Sequence, residues 1–229
     1  MNYLIGIDLG TSSTKTVLFD EKGEVIASAS KDYPLYTPHN GWAEQKPEDW
    51  RDAALETITK VVKDSGVAAD DIKGLGISGQ MHGLVMLDEQ GEVIRPSIIW
   101  CDQRTEKECE EMTEKVGAEK LIEITANPAM TGFTASKILW VRNNEPENYA
   151  KCKHILLPKD YVRYILTGEF ATEVSDASGM QLLDVPKRQW SDELLEILDI
   201  DKSLLAKVYE SPEVTGTILP EIAAKTGLS

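Results

Sequence analysis

Asp8 closes an apolar run that begins at Tyr3, and Gly10, Thr11, Ser12, Ser13 and Lys15 follow it at once. A strand that delivers a carboxylate to a tight turn, where a glycine admits backbone amides and hydroxyls add donors, suits an anion. Lys15 adds a cation. Asp8 is placed to hold Mg²⁺ through water, because that ion keeps several waters and takes few carboxylates. Together these residues describe a phosphate-and-metal corner. It is not a Walker loop, since no GxxxxGK[ST] occurs in the chain. The plainer reading is a polar hairpin turn with a strand-end aspartate.

A second group, Gln80, Met81 and His82, stands before Gly83. It pairs an apolar side chain with hydrogen-bonding ones, the division of labour of a small polar-ligand site. Met81 would lie against carbons and His82 would bond hydroxyls; the alternative is a core histidine with a satisfied partner. Trp100 offers a flat face, while Asp102 and Arg104 would position hydroxyls or each other. Asp102 equally suits the cap of a helix beginning at Gln103. Gly74 to Gly79 satisfies GxGxxG, but only Ile72-Lys73 precede it as strand and Met81 to Leu87 after it is strand-like. The dinucleotide fingerprint needs a full strand before and a helix after, so NAD is discarded.

The elements that must carry these residues are legible in the periodicity. Tyr3 to Leu9, Thr14 to Phe19 and Glu24 to Ser30 predict a three-strand meander, and Pro47, Glu48 and Asp49 predict a helix start before the stripe Trp50, Ala54, Ile58, Val61 and Val62. Ile72 to Ser78 is the next strand, and Leu84 to Leu87 with Val93-Ile94 predicts another hairpin. Its turn, Asp88 to Gly91, nearly repeats Asp20 to Gly23, as two turns with the same need for a positive φ would. Beyond Asp102 helices are expected near Arg104 to Val116, Ala118 to Ile124, Thr134 to Asn144, Pro158 to Leu166 and Asp192 to Leu198, with one opened by Pro220 and a lone strand at His154 to Leu157. Strands first and helices after predict a mixed α/β domain carrying a helical subdomain.

Composition bounds the function. The 229 residues, 41% of them hydrophobic, suffice for a buried core, and the net charge of −15 argues against a partner bound through a phosphate backbone. No nucleic acid is expected. Three cysteines, Cys101, Cys109 and Cys152, show no CxxC spacing and support neither a disulfide framework nor zinc. No stretch reaches the about 20 apolar residues of a membrane helix, so no membrane partner is expected and the cytoplasm is the default.

Asp8-Leu9-Gly10-Thr11-Ser12 on a hairpin resembles the first phosphate loop of the superfamily joining sugar kinases, actin and the seventy-kilodalton heat-shock proteins. Ile77 to Gly83 resembles the sugar-contacting segment of the FGGY carbohydrate kinases, and its Gln-Met-His-Gly form is similar to the members that act on D-xylulose. The glycerol kinases of that family carry Arg and Glu where Met81 and His82 stand. Trp100-Cys101-Asp102-Gln103-Arg104 is similar to a segment at the sugar end of these kinases. Gly132 to Asn144, with Thr134, Lys137, Trp140 and Asn144 in place, resembles the first family signature, and Thr172 to Met180 matches a polar turn containing Asp176.

The resemblance implies an actin-like or ribonuclease-H-like α/β fold with a mixed sheet of about five strands and packed helices. It implies phosphoryl transfer from ATP, with Mg²⁺, to the 5-hydroxyl of D-xylulose. Asp8 would organise the metal, Gly10, Thr11, Ser12, Ser13 and Lys15 the phosphates, and Gln80, Met81, His82, Trp100, Asp102 and Arg104 the sugar. Residues 1–229 would then be the N-terminal sugar-binding domain. The family's general-base Asp, in a Gly-Gly-x-Asp segment, and its C-terminal ATP-binding domain would lie past Ser229, leaving this stretch inactive by itself. The rivals are a kinase of the same family for ribulose, gluconate or glycerol, a sugar-binding module without chemistry, and an actin-fold scaffold or sensor. A homodimer stays open.

Overall fold

The computed structural model describes residues 1–229. The expected meander is present as β1 (Tyr3–Leu9), β2 (Ser13–Asp20) and β3 (Val25–Asp32), each antiparallel to the next. After β4 (Glu44–Gln45), α1 (Pro47–Ser65) crosses over and returns β5 (Ile72–Gly79) parallel to β1, giving the order β3-β2-β1-β5. Alternation sends Ile5, Ile7 and Leu9 inward and leaves Leu4 and Asp8 exposed, as the two-residue period of a strand requires. The inward face meets Trp50, Ala54, Ile58 and Val61 of α1, all buried. That helix has Pro47 in its first turn with Glu48 and Asp49, and ends on Gly66 in the left-handed conformation at φ 66°.

The second half is built from short pieces. They are β6 (Val85–Leu87), β7 (Ser97–Ile98), α2 (Glu106–Val116), α3 (Ala118–Thr125), α4 (Thr134–Asn144) and α5 (Pro146–Lys151), then β8 (His154–Leu156), α6 (Pro158–Thr167), β9 (Ala171–Glu173) and α7 (Val174–Ser178). β10 (Leu183–Asp184), β11 (Gln189–Trp190), α8 (Asp192–Ile197), β12 (Lys207–Tyr209) and α9 (Pro220–Thr226) complete the chain. The buried apolar residues divide into two cores. One lies between the sheet, α1, α6 and α9; the other is enclosed by α2, α3, α4 and α8. The β6–β8 ladder is the partition between them: Val85, Leu87 and Leu156 point into the first core, Met86, Ile155 and Leu157 into the second. The expected helical subdomain therefore has a core of its own.

The main sheet has four strands where about five were expected. The later strands are two or three residues long and pair among themselves, β4 with β7, β6 with β8, β9 with β12 and β10 with β11. The expected hairpin at Leu84 to Ile94 is reduced to one bridge, Leu87 with Val93, because β6 takes β8 as its partner. Its turn is nonetheless the twin of the first. Asp20 Oδ1 accepts from the amides of Lys22 and Glu24, and Asp88 Oδ1 from those of Gln90 and Glu92; Gly23 and Gly91 sit at φ 83° and 80°. The polar turn expected at Thr172 to Met180 is β9 followed by α7, whose N-cap Glu173 accepts from the amides of Ser175 and Asp176. No helix is long and apolar enough to cross a membrane, and the three cysteines are free.

Candidate functional site

The corner predicted from Asp8 onward forms at the carboxyl end of β1. Asp8 is exposed and lies in register opposite Lys15 on β2, also exposed, so both project from the same sheet face. Between them the chain turns tightly, with the Gly10 amide donating to Ser13 O at 2.9 Å. A Cβ on Gly10 would come within 3.1 Å of that carbonyl, which explains the glycine. Tyr33 braces the loop from beneath: its amide donates to Ser12 O and its hydroxyl to Gly10 O. Burial pushes the Tyr33 phenol up to about 12, so it stays a donor.

Hydrogen bonds bring the second predicted group, and Trp100 with it, against this loop. The Gln80 amide donates to Leu9 O at 2.7 Å; the Gln80 side chain donates to Gln45 Oε1 at 2.8 Å, and Gln45 Nε2 to Thr11 O at 2.7 Å. Trp100 Nε1 donates to Thr11 Oγ1 at 2.9 Å. Gln80 is thus a buried brace, while Met81 and Trp100 remain exposed at 39% and 38%, available to a ligand. Gln45, the link between the two groups, carries no sequence signal of its own.

His82 has φ 64°, unusual for a residue with a Cβ, and its ring lies 4.4 Å from that of Phe133. The Nδ1–Cε1 edge of the ring abuts Gly179, where any Cβ would collide with it. Nδ1 is buried against the Gly179 backbone without a hydrogen bond of good geometry, and no protein group bonds Nε2. Burial, with the Lys137 cation second, holds the imidazole down to about 4, so it is neutral near pH 7. The backbone is held as firmly. The His82 carbonyl accepts from Thr134 Oγ1 at 3.1 Å and from Lys137 Nζ at 2.9 Å.

Asp102 and Arg104, expected at the sugar, are inside the fold. Asp102 is fully buried and accepts from the Ala43 amide at 2.6 Å and from the Arg104 amide at 2.9 Å. The Arg104 guanidinium grips the same carboxylate with Nε and Nη2, lies 2.8 Å from Glu44, and stacks 3.7 Å over Trp42; its side chain is 1% exposed. A desolvated pair with these geometries is occupied with itself. Of the two roles weighed for these side chains, mutual positioning is the one their burial supports. Asp102 is not a helix cap either, since α2 starts at Glu106 behind Thr105.

Sequence reasoning also left out Lys159, at the first turn of α6. A Cβ on Gly79, at the end of β5, would approach Lys159 Cβ to 3.4 Å, so this side chain roots beside the site. Its ammonium lies 3.2 Å from Asp160, 3.1 Å from Glu173 and 3.2 Å from Asp176. Burial disfavours the Lys159 charge, and the three carboxylates more than reverse that, raising its pKa. Asp176 is pushed up by burial, whereas Glu173, despite burial, is drawn down to about 2 by the Ser211 hydroxyl, Lys159 and two backbone amides. No group of three His, Cys, Asp or Glu side chains is arranged to hold a metal. A cavity of about 610 Å³ runs along the outer edge of β5 beside Arg163 and the 210–218 segment, and neither Asp8 nor His82 lines it.

Residues 3–229 match the FGGY family of carbohydrate kinases, N-terminal domain. A xylulose kinase of Bacillus subtilis (strain 168) is 46% identical over 228 residues, covering 100% of this chain and 46% of that protein. A ligand-bound xylulose kinase and a gluconate kinase, both from Lactobacillus acidophilus, each superpose with a TM-score of 0.93 at 31% identity, over 100% of this chain and 46% of theirs. The chain spans about half the length of the relatives it matches. On the match over nearly its whole length, the chain belongs to the FGGY family of carbohydrate kinases.

Proposed function

We propose that the protein phosphorylates D-xylulose at its 5-hydroxyl with ATP, and that residues 1–229 are the domain carrying the sugar site and the first phosphate loop. The observation that supports this most is the coupling of Gln80-Met81-His82 to Gly10-Thr11 through Gln45, with Trp100 bonded to the same Thr11, which sets Met81, His82 and Trp100 beside an anion corner. Met81 and Trp100 would cover carbons, and His82 Nε2 would bond a hydroxyl. Neutral imidazole can donate or accept there. The amides and hydroxyls of Gly10 to Ser13, with Lys15, would hold phosphate oxygens. Asp8 fits a divalent ion that keeps most of its water, since it is one exposed carboxylate without a cluster around it. When bound, ATP and the ion supply the phosphoryl group and neutralise its charge. A reaction that consumes ATP suits the cytoplasm.

Gluconate is the second reading, because the gluconate kinase superposes as well as the xylulose kinase and the backbone does not separate them. Isothermal titration of the chain with D-xylulose, ribulose, gluconate, glycerol and ATP tests the proposal. D-xylulose binding that His82→Ala abolishes is the expected result. Binding of gluconate in its place overturns the substrate, and binding of no sugar overturns the assignment of a self-sufficient sugar site.

A further inference from the structure

Lys137 is the one lysine in the fold with no exposed surface. Burying an ammonium is costly, and α4 surrounds it with Ile138, Leu139 and Val141, any of which shows what a purely packing residue would be. It forms no salt bridge. Its Nζ donates instead to two backbone carbonyls from different loops, His82 O at 2.9 Å and Gly132 O at 2.6 Å. Both carbonyls lie outside helices and strands, and a buried carbonyl without a partner costs about as much as a lost hydrogen bond. The His82 carbonyl is the more demanding, because it belongs to a residue at φ 64°, a conformation that persists only when its surroundings over-determine it. Thr134 Oγ1 takes the same carbonyl at 3.1 Å. A long side chain with three donors is what reaches two such acceptors at once.

The first turns of α4 therefore clamp the strained residue. Thr134 and Lys137 hold its carbonyl, Phe133 packs on its ring, and Ala135 N bonds Met180 O, fixing the strand of chain that carries Gly179 beside the ring. The groups that face Lys137 are Cys101, Asp102 and Arg104 from the segment after β7, Cys109 from α2, and His82 itself; near pH 7 only Asp102 and Arg104 among them are charged, since burial raises both thiols and lowers the imidazole. Burial pushes the ammonium down to about 7, with the Asp102 carboxylate pulling it back up.

We propose that Lys137 is a positioning residue: its two carbonyl bonds lock His82 in the left-handed conformation that turns Nε2 toward the sugar. The role of His82 as a sugar ligand rests on the function proposed above; the locking does not. A Lys137→Met chain keeps the length and apolar stem and removes the donors. Two readouts on the whole chain then separate the claims. By NMR, the His82 to Phe133 ring contact is lost in Lys137→Met, and the His82 titration midpoint rises from near 4 toward the ordinary histidine value. D-xylulose affinity drops at least about tenfold. Leu139→Ala, a buried change on the same helix, is the control for stability alone and moves neither the ring contact nor the midpoint. If Lys137→Met fails to fold, Thr134→Val removes one donor to the same carbonyl and is expected to weaken D-xylulose binding by about threefold with the same direction of change at His82. An unchanged ring contact and midpoint in Lys137→Met, or changes of equal size in Leu139→Ala, overturn the proposal. Altered ring data in a chain whose unsubstituted form binds no sugar uphold the locking and overturn the sugar site.

Discussion

At His82 the ring is neutral because it is buried against Phe133 and Gly179 beside Lys137, while the backbone at φ 64° is held through its carbonyl by Thr134 and Lys137. The folded ring protonates near pH 4 and the unfolded one near 6.5, so between those values the unfolded chain binds the extra proton. Stability contributed by the neutral ring is present above about pH 6.5 and lost as pH falls to about 4. An NMR titration of His82 is expected to show no inflection between pH 6 and 8; a midpoint near 6.5 would contradict the burial argument. Gly179→Ala tests the packing directly. Its backbone angles suit alanine, and only the ring stands in the way, so the expected outcome is displaced imidazole, about tenfold weaker sugar binding and a small change in unfolding midpoint. The types that form this pocket were only partly legible. Met81 and His82 stand in a pattern with chemical meaning, whereas a glycine that a ring abuts looks like any glycine in a turn. Asp102 and Arg104 were left with two roles because a carboxylate and a guanidinium two residues apart suit a buried pair and a sugar contact equally.

Among the elements, the long periodic ones were legible, while the shortest ones and the pairings between distant segments were missed. α4 begins and ends where the apolar period and its flanks put it, and α1 follows from Pro47 and its stripe. α5 has six residues, too few for a period to emerge, and β6 finds its partner in β8, far along the chain. The union of α6, β9 and α7 is of the second kind, since it depends on Lys159 meeting Asp160, Glu173 and Asp176. Glu173, held near 2 against an ordinary 4.5, gives stability that is complete above about pH 4.5 and lost as pH falls toward 2. Asp176 acts oppositely: with its pKa raised, it favours the folded state at the acid end and loses that contribution as pH rises through the folded value. Glu173 has the larger shift, so thermal unfolding midpoints should fall between pH 4.5 and 2, worth about 1–2 kcal/mol after allowing for solvent screening. Glu173→Gln should flatten that part of the profile, and an equally steep profile in the variant would assign the loss to other carboxylates.

At the scale of the molecule, two cores of 25 and 20 buried residues are large enough for each to be asked whether it folds alone. The partition argues that neither does. β6 and β8 alternate their side chains into opposite cores, so melting one core strips one face of a ladder whose other face is the wall of its neighbour. The same ladder follows directly from the Gln80 to Gly83 loop, so the candidate site lies at this seam and is defined only while both cores are intact. Calorimetry is expected to show one transition with a calorimetric to van't Hoff enthalpy ratio of about 1. Met86→Ala, which hollows the helical core, and Leu87→Ala, which hollows the sheet core from the next position, should each cost about 2–5 kcal/mol and lower that single transition as a whole. Independent cores would behave otherwise: each substitution would split the trace, lowering the transition of its own core and leaving the other in place.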